Sequence, residues 1–513
     1  MFTQRTPHSI PKVAMLLAAL MIYARMAATQ EAPVSITTTT AAARPPVLGA
    51  PSPATIAAGE AQRPDLNAAP SQSATISAGQ AARPDPLGPL VAEALRANLG
   101  LSAVRIASRE ASADVSAARG LFLPTLGVVA RTSQLSGVPN IGDFVNPAFA
   151  ALNGVLGSNR FPTNVDFTLP QANDSHLELR QPLVNAGLVA NYAAARSRRD
   201  GRHDEFAAAA RRLAADVQTA YLAEASAWRA VEIYAATLGV VQENQRVAER
   251  LVAAGRATPE AVYRARADRS AVEQQLAEAR QRQTAAARVL NQMLRRPLDA
   301  PVDAIADSAL APPLAIDADA AVASALARRE ELREVDDGVG AAQALSRAAT
   351  AAYLPSVSLA VDYGFQGRDL AFRPSQDYWV ASVVVSWNLF DGGQDAARRG
   401  AAGLEVARIR TLRQDLEEKI ALEVRTAYDA AATARAAIAT ATDRLDAARS
   451  TWQLVRRRYE EGVAGSVELV DARTELTTAE LNRSVTAYQY AIRYVELERA
   501  AALRDIDLEG ADR

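Results

Sequence analysis

Between Asp377 and Phe390 apolar and polar positions alternate with a period of two. Trp379, Ala381, Val383, Val385, Trp387 and Leu389 share one face; Tyr378, Val380, Ser382, Val384, Ser386 and Asn388 share the other. The pattern predicts a strand at about 377–390. A second alternation at about 353–366 sets Val357, Leu359, Val361, Tyr363 and Phe365 against Ser356, Ser358, Ala360, Asp362 and Gly364. At about 174–185, Leu177 and Leu179 oppose His176, Glu178 and Arg180, and a weaker strand is expected at about 122–134.

Elsewhere the period is helical. Residues 188–254 and 394–461 contain no proline, and at ~1.5 Å per residue each stretch would span about 100 Å. After each long segment comes a glycine-bearing turn and a second helical pattern. In the first, Val262, Ala265, Val272, Leu276 and Ala279 recur at steps of three, four and seven; in the second, Leu469, Ala472, Leu476 and Ala479 do. Both read as antiparallel, coiled-coil-like hairpins. Their tips fall at 255–259 and 462–466, formed by Gly255, Arg256, Ala257 and Thr258, and by Gly462, Val463, Ala464, Gly465 and Ser466. At the second tip the glycines read as cap and turn, with Ser466 opening the next helix.

The chain states this plan twice. Residues 93–124 match 324–355 at an offset of 231, Leu123-Pro124 pairing with Leu354-Pro355. "QPLVNAG" ending at Gly187 matches "WNLFDGG" ending at Gly393, and Tyr221 and Gly255 match Tyr428 and Gly462 at an offset of 207. The first copy thus carries about 25 extra residues between its Leu-Pro and its glycine turn. Gly187, Gly392 and Gly393 are the expected strand-to-helix turns. The repeats are expected at 89–296 and 317–505, joined by a proline-bearing connector at 297–316, with a short tail at 506–513.

The strand faces carry chemistry. At ~3.3 Å per residue, Trp379 and Trp387 lie about 26 Å apart, close to the ~25 Å apolar band with aromatic girdles of an outer-membrane barrel. The soluble counterpart is a half-buried sandwich strand. Trp379, Trp387, Tyr363 and Phe365 are the candidate lipid-facing aromatics, and the charged alternate positions suit a wet interior. Four strands cannot close a barrel, and open edges are not tolerated in lipid, so a membrane sheet of this kind must be pooled between copies.

Composition narrows the function. The 513-residue chain has a formal charge of −2, without the basic excess of a nucleic-acid binder. It is 49% hydrophobic but 5% aromatic, which favours long, closely packed helices. The absence of cysteine excludes disulfides, thiolate metal sites and a lipidated N-terminal cysteine, and three scattered histidines offer no catalytic or metal centre. No cofactor and no enzymatic activity are expected. Arg5 and Lys12 precede the apolar run Val13–Ala24, a secretory signal pattern over 1–28. Residues 29–88 are rich in Ala, Pro, Ser and Thr and read as a low-complexity flexible tether.

Together the two Leu-Pro strand starts, "LFDGG" at 389–393 and "RYEEGVAGSVELVDARTEL" at 458–476, with its counterpart at 250–268, resemble the TolC-like outer-membrane efflux family. The resemblance covers about 89–503. It implies a mainly α fold with a membrane β-barrel portion: a homotrimer pooling twelve strands in the outer membrane, continued by a periplasmic α-helical barrel. A periplasmic adaptor (membrane fusion) protein would dock at the tips, and an inner-membrane pump of RND, ABC or MFS type would supply the energy. By position, Tyr459 matches a residue that holds some members' periplasmic entrance shut, and Glu468 and Asp471 match acids that ring it. The chain departs from those members at Ala464, where they carry an arginine, and at Ala261, where they carry an acid, so its entrance is expected to be held differently. The competing reading is a non-channel coiled-coil protein, a periplasmic adaptor or envelope scaffold.

Overall fold

The computed structural model describes residues 87–133, 140–166, 173–302, 312–367 and 372–505. The leader, nearly all of the tether and the 506–513 tail lie outside the described residues. Two short helices, α1 (Gly88–Ala97) and α2 (Leu99–Gly120), lead into β1 (Thr125–Thr132), and α3 (Ile141–Leu156) separates β1 from β2 (Asn173–Val184). The long α4 (Ala186–Ala253) and its return α5 (Pro259–Leu294) complete the first copy. The second runs α6 (Ala318–Arg328), α7 (Glu330–Ala351), β3 (Ser356–Gly367), β4 (Asp377–Ser386), α8 (Gln394–Glu460) and α9 (Ser466–Ala500).

Two elements depart from the expected plan. The helix ahead of each first strand is broken, at Asn98 and at Arg329, both in extended backbone. The Asn98 carboxamide caps the restarted helix by accepting from the Leu101 amide at 3.1 Å. The extra residues of the first copy hold a helix, α3, with a left-handed Gly157 at its C-cap.

The two copies build equivalent cores. One cluster holds Ala94, Val217 and Leu290 with Leu213 packed against it, and the other holds Ala325, Val424, Leu497 and Ile420. These are the same positions at offsets of 231 and 207, so each copy closes its own short helix onto its own hairpin. A buried ion pair ties the copies together: Arg211 of α4 donates through Nε and Nη2 to the Glu330 carboxylate of α7 at 3.0 and 2.7 Å. Glu423 of α8 accepts from both Arg329 and Arg499. Such closely paired charges offset much of their desolvation cost. Small residues let α4 and α7 approach closely, since a Cβ on Gly340 would lie 3.1 Å from Ser197 Oγ.

The strands form one antiparallel sheet in the order β1-β2-β3-β4, with β1 and β4 as free edges among the described residues. The register sets Leu177 beside Val128 and Tyr363, and Tyr363 beside Trp379. One face is therefore apolar across all four strands and is widely exposed: Trp379 is 72% and Val383 65% accessible.

Candidate functional site: the charged sheet face and the helical tips

The opposite sheet face carries two polar clusters. The Asp174 carboxylate accepts from Tyr378 Oη at 2.8 Å, lies 3.1 Å from His176 Nδ1, and pairs with Arg131 at 3.5 Å. One step along, Arg180 bridges Glu178 at 2.7 Å and Asp362 at 2.8 Å. Gly364 lies opposite His176, where a Cβ would come within 2.4 Å of the histidine Cβ. Every strand contributes a polar side chain to this face, Arg131, Asp174, Asp362 and Tyr378 among them. The sequence showed the alternation of charge here but not the pairing, because register across 182 residues is not legible in one strand.

The aromatic residues expected toward lipid lie on or beside the apolar face. Tyr363 and Phe365 contact edge-to-face at 6.1 Å, and Phe365 meets Phe372 at 5.3 Å. β4 ends at Ser386, so Trp387 falls just beyond the strand; its indole nitrogen donates to the Tyr353 carbonyl at 3.1 Å.

The strand-to-helix turns differ between copies. Gly392 and Gly393 are both left-handed (φ 73° and 89°), and the Asp391 carboxylate accepts from the amides of Gly393 and Asp395. Gly187 instead lies within the first turn of α4, which starts at Ala186 and is capped by Asn185 accepting from the Leu188 amide. The expected turn role of Gly187 is corrected: with alanine at the position matching Gly392, the left-handed pair cannot form and the helix begins earlier.

Both tips fold by one device. Gly255 (φ 67°) and Gly462 (φ 76°) sit just past the helix ends. The Gly255 and Arg256 amides donate to the Val252 and Leu251 carbonyls, and the Gly462 and Val463 amides to those of Tyr459 and Arg458. This is the Schellman pattern, which stops a helix within two residues. Thr258 and Gly465 are the N-caps of α5 and α9, both in extended backbone and neither with a side-chain cap. Ser466, expected to open α9 as its cap, is instead its first helical residue.

Around the tips, Arg256, Ala257 and Val463 are unburied, whereas Ala464 is only 8% exposed. Tyr459 is half-buried in a groove between α8 and α4, beside Val240, Asn244, Trp452 and Leu469. Glu468 is exposed, its carboxylate 3.8 Å from Arg458. Asp471 faces Asp268 across a cleft between α9 and α5, lined also by Ala261, Arg264 and Val467. Burial and the Asp471 charge push the Asp268 carboxyl above the usual carboxylate range, partly countered by Arg264. Sequence reasoning did not single out Asp268, because its partner lies in the other repeat.

Above the tips Arg473 is buried between α9, α4 and α8. Its Nη2 donates to Thr237 Oγ1 at 2.9 Å, and its guanidinium lies 5.8 Å from the Trp452 ring centre. Burial lowers its pKa, and Glu480 at 3.8 Å opposes that shift. Among the described residues no group of histidines and acids is arranged to hold a metal.

The outer membrane efflux protein family model matches residues 90–294 and 321–503. The chain belongs to that family. Its place is the outer membrane, with a large periplasmic portion, and the family is one of channels rather than enzymes; the adaptor or scaffold reading is not favoured. The protein CyaE of Bordetella pertussis is 33% identical over 135 residues, 26% of this chain and 28% of CyaE. The toluene efflux pump outer membrane protein TtgC of Pseudomonas putida is 27% identical over 188 residues, 33% of this chain and 37% of TtgC. The match thus spans about a third of each relative. Among solved structures, the CmeC outer membrane channel of Campylobacter jejuni superposes with a TM-score of 0.67 at 17% identity, covering 81% of this chain and 85% of CmeC. That likeness establishes the fold.

Proposed function

We propose that this protein is the outer-membrane exit duct of a tripartite efflux or secretion system, conducting solutes passively from a periplasmic pump and adaptor to the exterior. The observation that carries the reading is the sheet: one face apolar, the other set with two polar clusters, both edges open among the described residues, joined to helices of 68 and 67 residues. A lipid-facing surface, a wet bore and a periplasmic extension are what such a duct requires.

Homotrimer formation is supported by what the repeat leaves unpaired. α4 packs against α7 and α9 as well as its own hairpin partner. α8, its counterpart, makes no extended contact with α2 or α5, the counterparts of α7 and α9, among the described residues. Leu404 on α8 and Ile106 on α2 are left 74% and 62% exposed. A neighbouring copy supplies both partners, and three copies pool twelve strands.

In this reading residues 1–28 export the chain, 29–88 form a tether, and 89–296 and 317–505 are the two repeats. The tips, Gly255–Thr258 and Gly462–Ser466, of which only Ala464 is buried, meet a periplasmic adaptor, which couples the duct to an inner-membrane pump of RND, ABC or MFS type. Glu468 and Asp471 line the entrance with Tyr459 beside them, and Trp379, Trp387, Tyr363 and Phe365 face lipid. Conductance of the purified protein in planar bilayers tests the duct directly. Recovery of the protein only as a soluble periplasmic monomer would refute it. If Glu468→Ala with Asp471→Ala leaves cation preference unchanged, those acids do not control the constriction.

A further inference from the structure

We infer that α3 is an oligomerisation element, whose exposed face packs against the α3 helices of neighbouring copies at the exterior end of the sheet. The inference rests on the trimer reading above.

The helix carries two seams on opposite sides. Gly142, Asn146, Phe149 and Asn153 follow one another at steps of four, three and four, and this seam is already occupied by the chain's own residues 161–166. Asn146 exchanges two hydrogen bonds of 2.8 Å with the backbone of Val165. Asn153 does the same with Phe161, at 2.7 and 2.9 Å. Phe149 stacks on Phe161 at 5.5 Å, and Gly142 lies so close to Val165 that a Cβ would be 1.8 Å from its carbonyl oxygen. The unit is thus braced on one side by its own chain.

The second seam is bare. Phe144, Ala148, Ala151 and Val155 repeat the same four-three-four spacing two residues on, which places them about 200° around the helix. Phe144 is 90% and Val155 86% exposed, with Leu152 and Leu156 beside them. That spacing of apolar residues is the one by which helices interlock with other helices, and apolar patches of this kind mark interaction sites. Asp143 is the only ionisable residue of α3. A helix lying on a lipid surface keeps a polar face rich in Lys and Arg, and α3 has none.

The partner follows from position. α3 comes directly after β1, a free edge of the sheet, and makes no extended contact with another element among the described residues. Pooling of sheets brings β1 beside the next copy's β4, so each neighbour arrives with an α3 of its own. Ala148 and Ala151 at mid-seam let helices approach closely. The occupant is therefore a second copy of the same helix, and three would form an apolar collar at the exit.

The chain has no cysteine, so the test is direct. Ala151→Cys and Asn159→Cys, the latter just past the helix, are made separately in the full chain, purified in detergent and oxidised. The expected result is several-fold more disulfide-linked dimer from Ala151→Cys than from Asn159→Cys, with Val155→Cys behaving like Ala151→Cys. A trimer by light scattering in which Ala151→Cys gives no dimer overturns the interface alone. Its cysteine would then react with a water-soluble maleimide as fast as that of Asn159→Cys if the seam is bare, or slowly if lipid or detergent covers it. A monomeric wild type overturns the trimer reading and this interface with it.

Discussion

Thr237 of α4 and Thr477 of α9 meet through their hydroxyls at 2.9 Å, and Arg473 Nη2 donates to the same Thr237 oxygen at 2.9 Å. The contact joins the hairpins of the two repeats inside one chain. Shifted by 207 residues, Thr237 becomes Arg444 on α8 and Thr477 becomes Ser270 on α5, which make no extended contact within the chain. In a trimer built on the repeat's symmetry those two positions meet between chains. Cysteines at Thr237 and Thr477 should therefore link within a chain, and cysteines at Arg444 and Ser270 between chains, since a disulfide forms only where Cβ atoms lie within a few ångströms. Denaturing gels after oxidation read the result: an unchanged monomer band for the first pair and a covalent ladder for the second. A ladder absent from the second pair, in a protein still trimeric, would show that the repeats do not share one packing geometry.

The same transposition bears on stability. Asp337 packs beside Gly201 between α7 and α4, and its counterpart in the first copy is Ile106. Gly201 itself transposes to Ala407 or Arg408, about one helical turn from Leu404, so Ile106 and Leu404 both lie along the subunit boundary. Burying each side chain contributes about 2 kcal/mol, and a charge in its place costs more when left unpaired. Ile106→Asp or Leu404→Asp should lower the trimer fraction in sedimentation, while Leu404→Met changes it little.

Much of this architecture was legible in the sequence, and the limits have physical causes. The strands announced themselves through period-two alternation, and the tips through Gly255 and Gly462, because a Schellman turn needs a left-handed residue and glycine adopts it without strain. The repeat offsets located equivalent core positions such as Val217 and Val424. The missed features were set by distant parts of the chain. Asp268 matters because of Asp471 in the other copy, and Arg473 because Thr237 and Trp452 surround it. Ser466 looked like a cap by residue type, but Gly465 occupies that position, where its φ of −83° and ψ of 163° suit any residue. α3 was hidden because a 25-residue insertion between strands reads as a loop, although its Asn146 and Asn153 lie on the seam that its own chain occupies.

The charged sheet face should set ion preference at the outer end. Arg180 pairs with both Glu178 and Asp362. Its removal by Arg180→Ala leaves two carboxylates facing the bore in each copy, and rings of acids favour cations. The reversal potential under a KCl gradient should move toward the cation side, and Asp362→Asn in the same chain should move it back. A duct whose reversal potential ignores both changes would place this face away from the conducting path.

Acid should ease the crowding between the two tips. The Asp268 carboxyl is raised by burial and by Asp471, against the pull of Arg264, so its folded pKa lies above its unfolded one. Above the folded pKa the charged form costs the fold stability. As the pH falls through that value a proton binds and the cost shrinks, disappearing below the unfolded pKa. Asp268→Asn should therefore be more stable than the wild type at neutral pH, and the difference should close on acidification. Amide exchange over 244–268 and 466–475, compared at neutral and acid pH, separates this local effect from the other raised acids, Glu224, Glu334 and Asp337, which are the same in both proteins. Asp268 and Asp471 lie on α5 and α9, which meet beside the tips, so a change in their repulsion alters how firmly the two hairpins hold together. Equal protection of variant and wild type at neutral pH would mean that Arg264 already balances the pair.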